Sequence, residues 1–332
     1  MKKITLALLL GIIMISVNAQ NRAAWMKDAK WGVMLHYSIE RLVSNNLLES
    51  EVNTLDGWNE LIDNFDCDAL AKQLSDVGAG YLIITVRHLG GFFLSPNSMY
   101  DHYMGESPRV SSNRDLVVDL YEALHKHGIK LIVYCMTNFN WNPAELIAFA
   151  YDRDDPRRAE TFLRWQEVIR EYSIRWGDKV SGWWFDGCYL PNTYFRHPDI
   201  PNFASMAAAA RAGNPESIVA FNRGVFPRVK SITPYEDYTA GEINNPETIS
   251  FRNHGGGFID GSQIQILSYL GTTWGIGAPR FTQEDVVRFS LRINEVGGAV
   301  TWDVPPMPDG TIADDFMEQL VEIGKALGTI KK

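Results

Sequence analysis

The sequence predicts an α/β fold: a single-domain, TIM-like (β/α)8 barrel over residues 20–332, irregular in places. Three observations carry that expectation. About 313 residues remain once an N-terminal leader is set aside, a length that suits one α/β barrel. Short apolar runs alternate with helical patterns, giving eight strand candidates and seven helices, and such repeats build parallel βα units. No glycine-rich loop follows the first strand, where GVMLHYSIERL has nothing to cradle a phosphate, so a doubly wound nucleotide-binding sheet is disfavoured.

The leader comes first. MKK, the apolar ITLALLLGIIMISV and then NAQ form the pattern of a secretory signal peptide cut after Ala19. Residues 1–19 therefore stand apart from the fold, and a periplasmic or secreted location is expected. No later stretch is long and apolar enough to span a bilayer, so membrane insertion is not expected.

The first strand is GVMLHY at 32–37. A helix follows at 67–78, closed by Gly78, then the strand YLIITVRH at 81–88. SNRDLVVDLYEALHKHG at 112–128 has helical spacing, with Ser112 as N-cap and Gly128 as terminator. The strand KLIVYCMT, a long helix from Arg157 to Trp176 and the strand GWWFDG come next. FASMAAAARAG and SIVAFN form the following helix and strand, and EDYTAGE and IQILSYL are weaker strands. Thr282 caps the helix in TQEDVVRFSLRINEVGG, AVTWDV is the eighth strand, and a helix over 313–327 closes the chain.

Composition narrows function. The chain is 45% hydrophobic, with 10 Trp, 13 Tyr and 16 Phe, ample for a large core. Its formal net charge of -9 and lack of a basic tract argue against a nucleic-acid partner. Oligomeric state is not readable. Three cysteines, Cys67, Cys135 and Cys188, suggest buried thiols rather than a disulfide framework, although one pair could bridge.

In a barrel, polar residues at strand ends gather at one rim. Asp186 ends GWWFDG, behind two tryptophans and a phenylalanine. A strand-end aspartate can cap the next helix, yet aromatic rings beside a carboxylate also make a wall for the C–H face of a sugar. Such a carboxylate can attack an anomeric carbon, and a second must protonate the leaving oxygen. Glu236 and Glu242, in TPYEDYTAGEINNPE, are the candidates. His36 and His88 end strands and suit hydroxyl recognition. Arg223, in FNRG, suits pairing with Asp186 or a plain surface salt bridge, while Trp141 and Trp274 are pocket-wall or packing residues. No HExxH motif or compact His/Asp cluster is present, so no metal or cofactor is expected.

Taken in order, WGVMLHYS, GAGYLIITVRHLGGFFLSPNS, RDLVVDLYEALHKHGIKLIVY, GWWFDG, VAFNR, DYTAGEINNPE, TTWGIG and GGAVTWDVPPMPDGTI resemble the motifs of the retaining α-L-fucosidases of glycoside hydrolase family 29. The resemblance implies a barrel catalytic domain without the family's C-terminal β-sandwich and a glycan substrate. It places the nucleophile on Asp186, points to Glu242 over Glu236 as acid/base, and assigns substrate binding to His36, Tyr37, His88, Trp141, Trp184, Arg223, Trp274 and Trp302. Departures are also present. Leu89 and Gly90 stand where the family has a second histidine and an aspartate, Tyr37 replaces a tryptophan, Ile264 and Gln265 replace a Trp-Glu pair, and VTWD adds Trp302 and Asp303. They point to a glycosidase of different sugar specificity or a non-catalytic carbohydrate-binding relative as alternatives to plain fucosidase activity.

Overall fold

The structure, a computed structural model, describes residues 22–88, 91–105, 110–137, 142–251 and 254–330. The proposed leader, Leu89, Gly90 and Trp141 lie outside the described residues.

The strands are β1 (Trp31–Leu35), β2 (Tyr81–Arg87), β3 (Lys130–Met136), β4 (Gly182–Asp186), β5 (Ile218–Phe221), the short β6 (His254–Gly255), β7 (Phe258–Ile259) and β8 (Ser262–Gln263), then β9 (Gln265–Tyr269) and β10 (Ala299–Val304). Seven of them form one curled parallel sheet in the order β5-β4-β3-β2-β1-β10-β9. The other three, β6 to β8, make a small antiparallel sheet that the sequence did not announce.

Both faces of the large sheet are buried, as parallel sheets require. Because side chains alternate along a strand, each strand feeds two cores. Val33, Leu82, Val133, Trp183 and Val300 face the surrounding helices. Met34, Ile83, Ile132, Trp184 and Ala299 fill the concave interior. Tyr81 lies within that interior, its hydroxyl 2.7 Å from Thr301 Oγ1. A Cβ on Gly32 would come within 2.4 Å of the Tyr81 ring, so glycine makes room for this plug.

The strand expected at EDYTAGE does not form as a regular ladder. The chain there touches β8 and β9 through isolated parallel bridges, Tyr238 with Gln263 and Glu242 with Leu267. Side chains interrupt the ladder. The Val219 N–H donates to Asp237 Oδ2 at 2.8 Å, and the Gln265 N–H to Thr239 Oγ1 at 3.0 Å. Such local acceptors compete with backbone pairing. One backbone bond, Asp237 N–H to Val219 O at 2.8 Å, reaches back to β5.

Most predicted helices form within a few residues of their expected bounds. Gly78 ends Cys67–Val77 in the left-handed conformation, and Thr282 caps Gln283–Glu295 in a reciprocal capping box with Asp285. One start moves: the helix expected from Ser112 runs Leu116–His125 with Asp115 at its N-cap. Ser112 instead donates to Arg114 O at 2.7 Å. All three cysteines are buried and free.

Candidate active site

The C-terminal ends of the strands surround a cavity of about 320 Å³. Strand parity decides which residues reach it. Met34 and His36, Tyr134 and Met136, and Trp184 and Asp186 all line it, each pair two residues apart and so on the same face. Tyr134 stacks on Trp184, with ring centroids 5.2 Å apart and an interplanar angle of 16°. Trp274 closes another side, 6.1 Å from His36.

Asp186 is 9% exposed and held by four donors. Its Oδ2 accepts the Tyr134 hydroxyl at 2.6 Å. Its Oδ1 accepts the Gly187 N–H at 2.7 Å, the Tyr189 hydroxyl at 3.1 Å and Asn222 Nδ2 at 2.7 Å. Burial, reinforced by the Asp186 charge, keeps Tyr134 protonated well above its ordinary range, so it acts as a donor throughout neutral pH.

Glu242 is tied to the same amide. Asn222 Nδ2 also donates to Glu242 Oε2, at 2.5 Å. Those two bonds together hold the two carboxylate oxygens within about 5.2 Å of each other. Burial pushes the Glu242 carboxyl up to about 7, and the nearby Asp186 charge pushes the same way, while the Asn222 bond opposes both. Gly241 positions this glutamate: at φ +60, a Cβ there would collide with Gln265 O at 1.9 Å, so only glycine lets the segment lie this close to β9.

The two histidines line the same cavity, their rings 5.6 Å (His36) and 6.0 Å (His88) from that of Tyr134. His36 Nδ1 is 2.6 Å from Asp303 Oδ1, and Asp303 is fully buried and also accepts the Gly275 N–H at 2.5 Å. This pair fixes the His36 ring and leaves Nε2 for the cavity. The His88 ring lies 5.2 Å from it, edge to face. Burial, then His36, then Arg41 lower the His88 pKa to about 2, so this imidazole is neutral. Among the described residues no group of three or more His, Cys, Asp or Glu side chains is arranged to hold a metal ion.

The sequence model of the family described as Alpha-L-fucosidase matches residues 14–331. The chain belongs to the alpha-L-fucosidase family. It is 22% identical to tissue alpha-L-fucosidase of Bos taurus over 342 residues, covering 94% of this chain and 68% of that protein. Alpha-L-fucosidase isoenzyme 1 from Paenibacillus thiaminolyticus shares the fold at a TM-score of 0.63 and 18% identity, over 94% of this chain and 76% of that one. The endo-fucoidan hydrolase MfFcnA4 of glycoside hydrolase family 107 superposes at a TM-score of 0.71 with 18% identity. That match covers 93% of this chain, which spans about half, 54%, of the hydrolase's length.

Against this family's pattern, the structure brings Asp186, Glu242, His36, His88, Trp184 and Trp274 together around one cavity. Four other candidates stand elsewhere. Tyr37 has the opposite parity to His36 and packs among Trp58 and Phe65, its hydroxyl donating to Pro308 O at 2.6 Å. Trp302, between the inward Thr301 and Asp303, faces the helices and donates to Ser290 Oγ at 3.0 Å. Arg223 follows the inward Asn222 and stacks on Phe226, 3.9 Å from the ring centroid, rather than pairing with Asp186. Glu236 is buried, and its carboxyl accepts the Ile232 N–H at 2.5 Å and the Phe221 N–H at 3.4 Å. It therefore caps backbone at the edge of β5 instead of facing the cavity. Tyr134, Tyr189 and Arg41 line the cavity without having been singled out from sequence. Parity within KLIVYCMT would have found Tyr134; nothing local marks Arg41.

Proposed function

We propose that this protein is an exported, retaining glycoside hydrolase that cleaves terminal α-L-fucosyl or closely related sugars. The observation that carries the reading is the single Asn222 amide that bridges Asp186 and Glu242. Retaining enzymes hold their two carboxyl groups roughly 5–5.5 Å apart and inverting ones roughly 6.5–9.5 Å; sharing one amide donor keeps an oxygen of each group no more than about 5.2 Å apart, which favours the retaining arrangement. Asp186 attacks the anomeric carbon while Glu242 gives its proton to the departing glycosidic oxygen. The resulting glycosyl ester on Asp186 is then hydrolysed by a water that loses its proton to Glu242. A carboxyl raised to about 7 suits both duties near neutral pH. His36 and neutral His88 bind ring hydroxyls, and Trp184 and Trp274 wall the sugar. The basic-then-apolar leader supports a periplasmic or secreted location.

The test is turnover of an aryl α-L-fucoside and related aryl glycosides by D186N and E242Q. Both should lose activity, and D186G should be rescued by azide with a glycosyl azide as product. A wild-type protein that turns over none of the panel would instead be a carbohydrate-binding relative.

A further inference from the structure

Arg41 lies in the short helix Ile39–Ser44 after β1, and its side chain lines the same cavity as His36, His88 and Trp274. Among the described lining residues it is the one permanently charged cation. Its Nε is buried without a hydrogen-bond partner. The nearest carboxylate contact among the described residues, Glu40 Oε1 to Nη1 at 3.9 Å, is too long for a hydrogen bond and belongs to a half-exposed side chain. Neighbouring groups hold the arginine in place. The Ser38 side chain accepts its backbone N–H at 3.3 Å, and Asn45 Nδ2 bonds both Arg41 O and Gly275 O at 2.9 Å. A Cβ on Gly275 would meet Arg41 Cδ at 3.5 Å, so the Trp274 loop packs directly on the arginine stem.

A neutral sugar can use such a group only as a donor to a hydroxyl lone pair. Its hydroxyls are served by imidazoles, which donate and accept, whereas a guanidinium only donates and matches planar or tetrahedral oxyanions through paired N–H groups. An unpaired buried N–H on a cation is costly unless a ligand completes it. The geometry points to a substrate sugar that carries an anionic substituent, a sulfate ester or a carboxylate, bound by Arg41 in the cavity that also holds the Asp186–Glu242 pair. This deepens the hydrolase reading and rests on the same cavity. Arg41 selects the sugar; it takes no part in bond cleavage.

Equilibrium binding separates this idea from catalysis. Titration calorimetry on the full chain would compare free fucose, its sulfate monoesters and a hexuronic acid, for the wild type, Arg41→Gln and Arg41→Lys. The wild type should bind at least one anionic sugar about tenfold or more tighter than fucose, the worth of one charge-assisted hydrogen bond. In Arg41→Gln that ratio should collapse to about twofold or less, and in Arg41→Lys part of it should persist. Tighter binding of sulfate esters or of the hexuronate names the oxyanion. Equal binding of neutral and charged sugars by the wild type, or a preference that survives Arg41→Gln, overturns the assignment. Should Arg41→Gln fail to fold, a partial drop of the preference in Arg41→Lys together with its decline with salt in the wild type supports the assignment, and an undiminished preference in Arg41→Lys overturns it. A protein that prefers anionic sugars through Arg41 yet hydrolyses none would sink the hydrolase reading and leave this one standing.

Discussion

At the residue scale, the chemistry turns on how few donors shape two carboxyl groups. Tyr134 gives Asp186 Oδ2 its hydroxyl at 2.6 Å, and a hydrogen bond to a charged group contributes about 1.5–3 kcal/mol. Tyr134→Phe should therefore lower kcat/KM by roughly 10- to 100-fold, measured on the best aryl glycoside with thermal unfolding as a control for folding. Glu242 makes a prediction in pH. Acid catalysis needs its protonated form, so kcat/KM should fall on the alkaline side with a midpoint near its raised value of about 7. E242Q should lose about 10²- to 10⁴-fold in rate and that alkaline limb with it, which a pH–rate profile of both proteins would show. Asp186 was legible in sequence because GWWFDG ends a strand in an acid. Its partners were less so, because Tyr134 and Tyr189 look like ordinary aromatics until the fold brings their hydroxyls to one carboxylate.

At the scale of elements, alternation along a strand separates wall from core. Trp184 and Trp302 both sit in apolar strands with an aspartate near the C-terminal end, yet Trp184 lines the cavity and Trp302 is fully buried against the helices. Reading parity from Asp303 and His36, which bond each other at 2.6 Å, would have placed Trp302 and Tyr37 outward. A place in a motif near the strand end does not fix which face a side chain takes; the phase of the strand does. Trp302→Ala should cost about 3–5 kcal/mol of stability, seen in urea unfolding, while the folded fraction keeps its sugar affinity. A fall in affinity without a fall in stability would put Trp302 back at the cavity. The segment EDYTAGE was the least legible, because the Asp237 and Thr239 side chains take the Val219 and Gln265 N–H groups and leave only isolated bridges there.

Across the whole molecule, the two raised carboxyls make stability depend on pH. Burial lifts Glu236 from 4.5 to about 8, and Glu242 from the same value to about 7. Between pH 4.5 and those values the native state keeps protons that the unfolded chain releases, so the contribution is full below pH 4.5 and lost as pH rises. Urea unfolding should therefore show lower stability at pH 8 than at pH 5, by on the order of a few kcal/mol. E236Q should flatten that decline, since glutamine stays neutral throughout. An unchanged slope in E236Q would mean that Glu236 titrates normally.

The bridging amide of Asn222 has one more outcome. A single side chain steadies both the group that becomes esterified and the group that trades protons with it, so neither can be adjusted alone. Replacing Asn222 by alanine should slow formation and breakdown of the glycosyl-enzyme together. Pre-steady-state burst amplitude would then stay close to wild type while both rate constants drop, a kinetic signature of two half-reactions hung from one hinge pin.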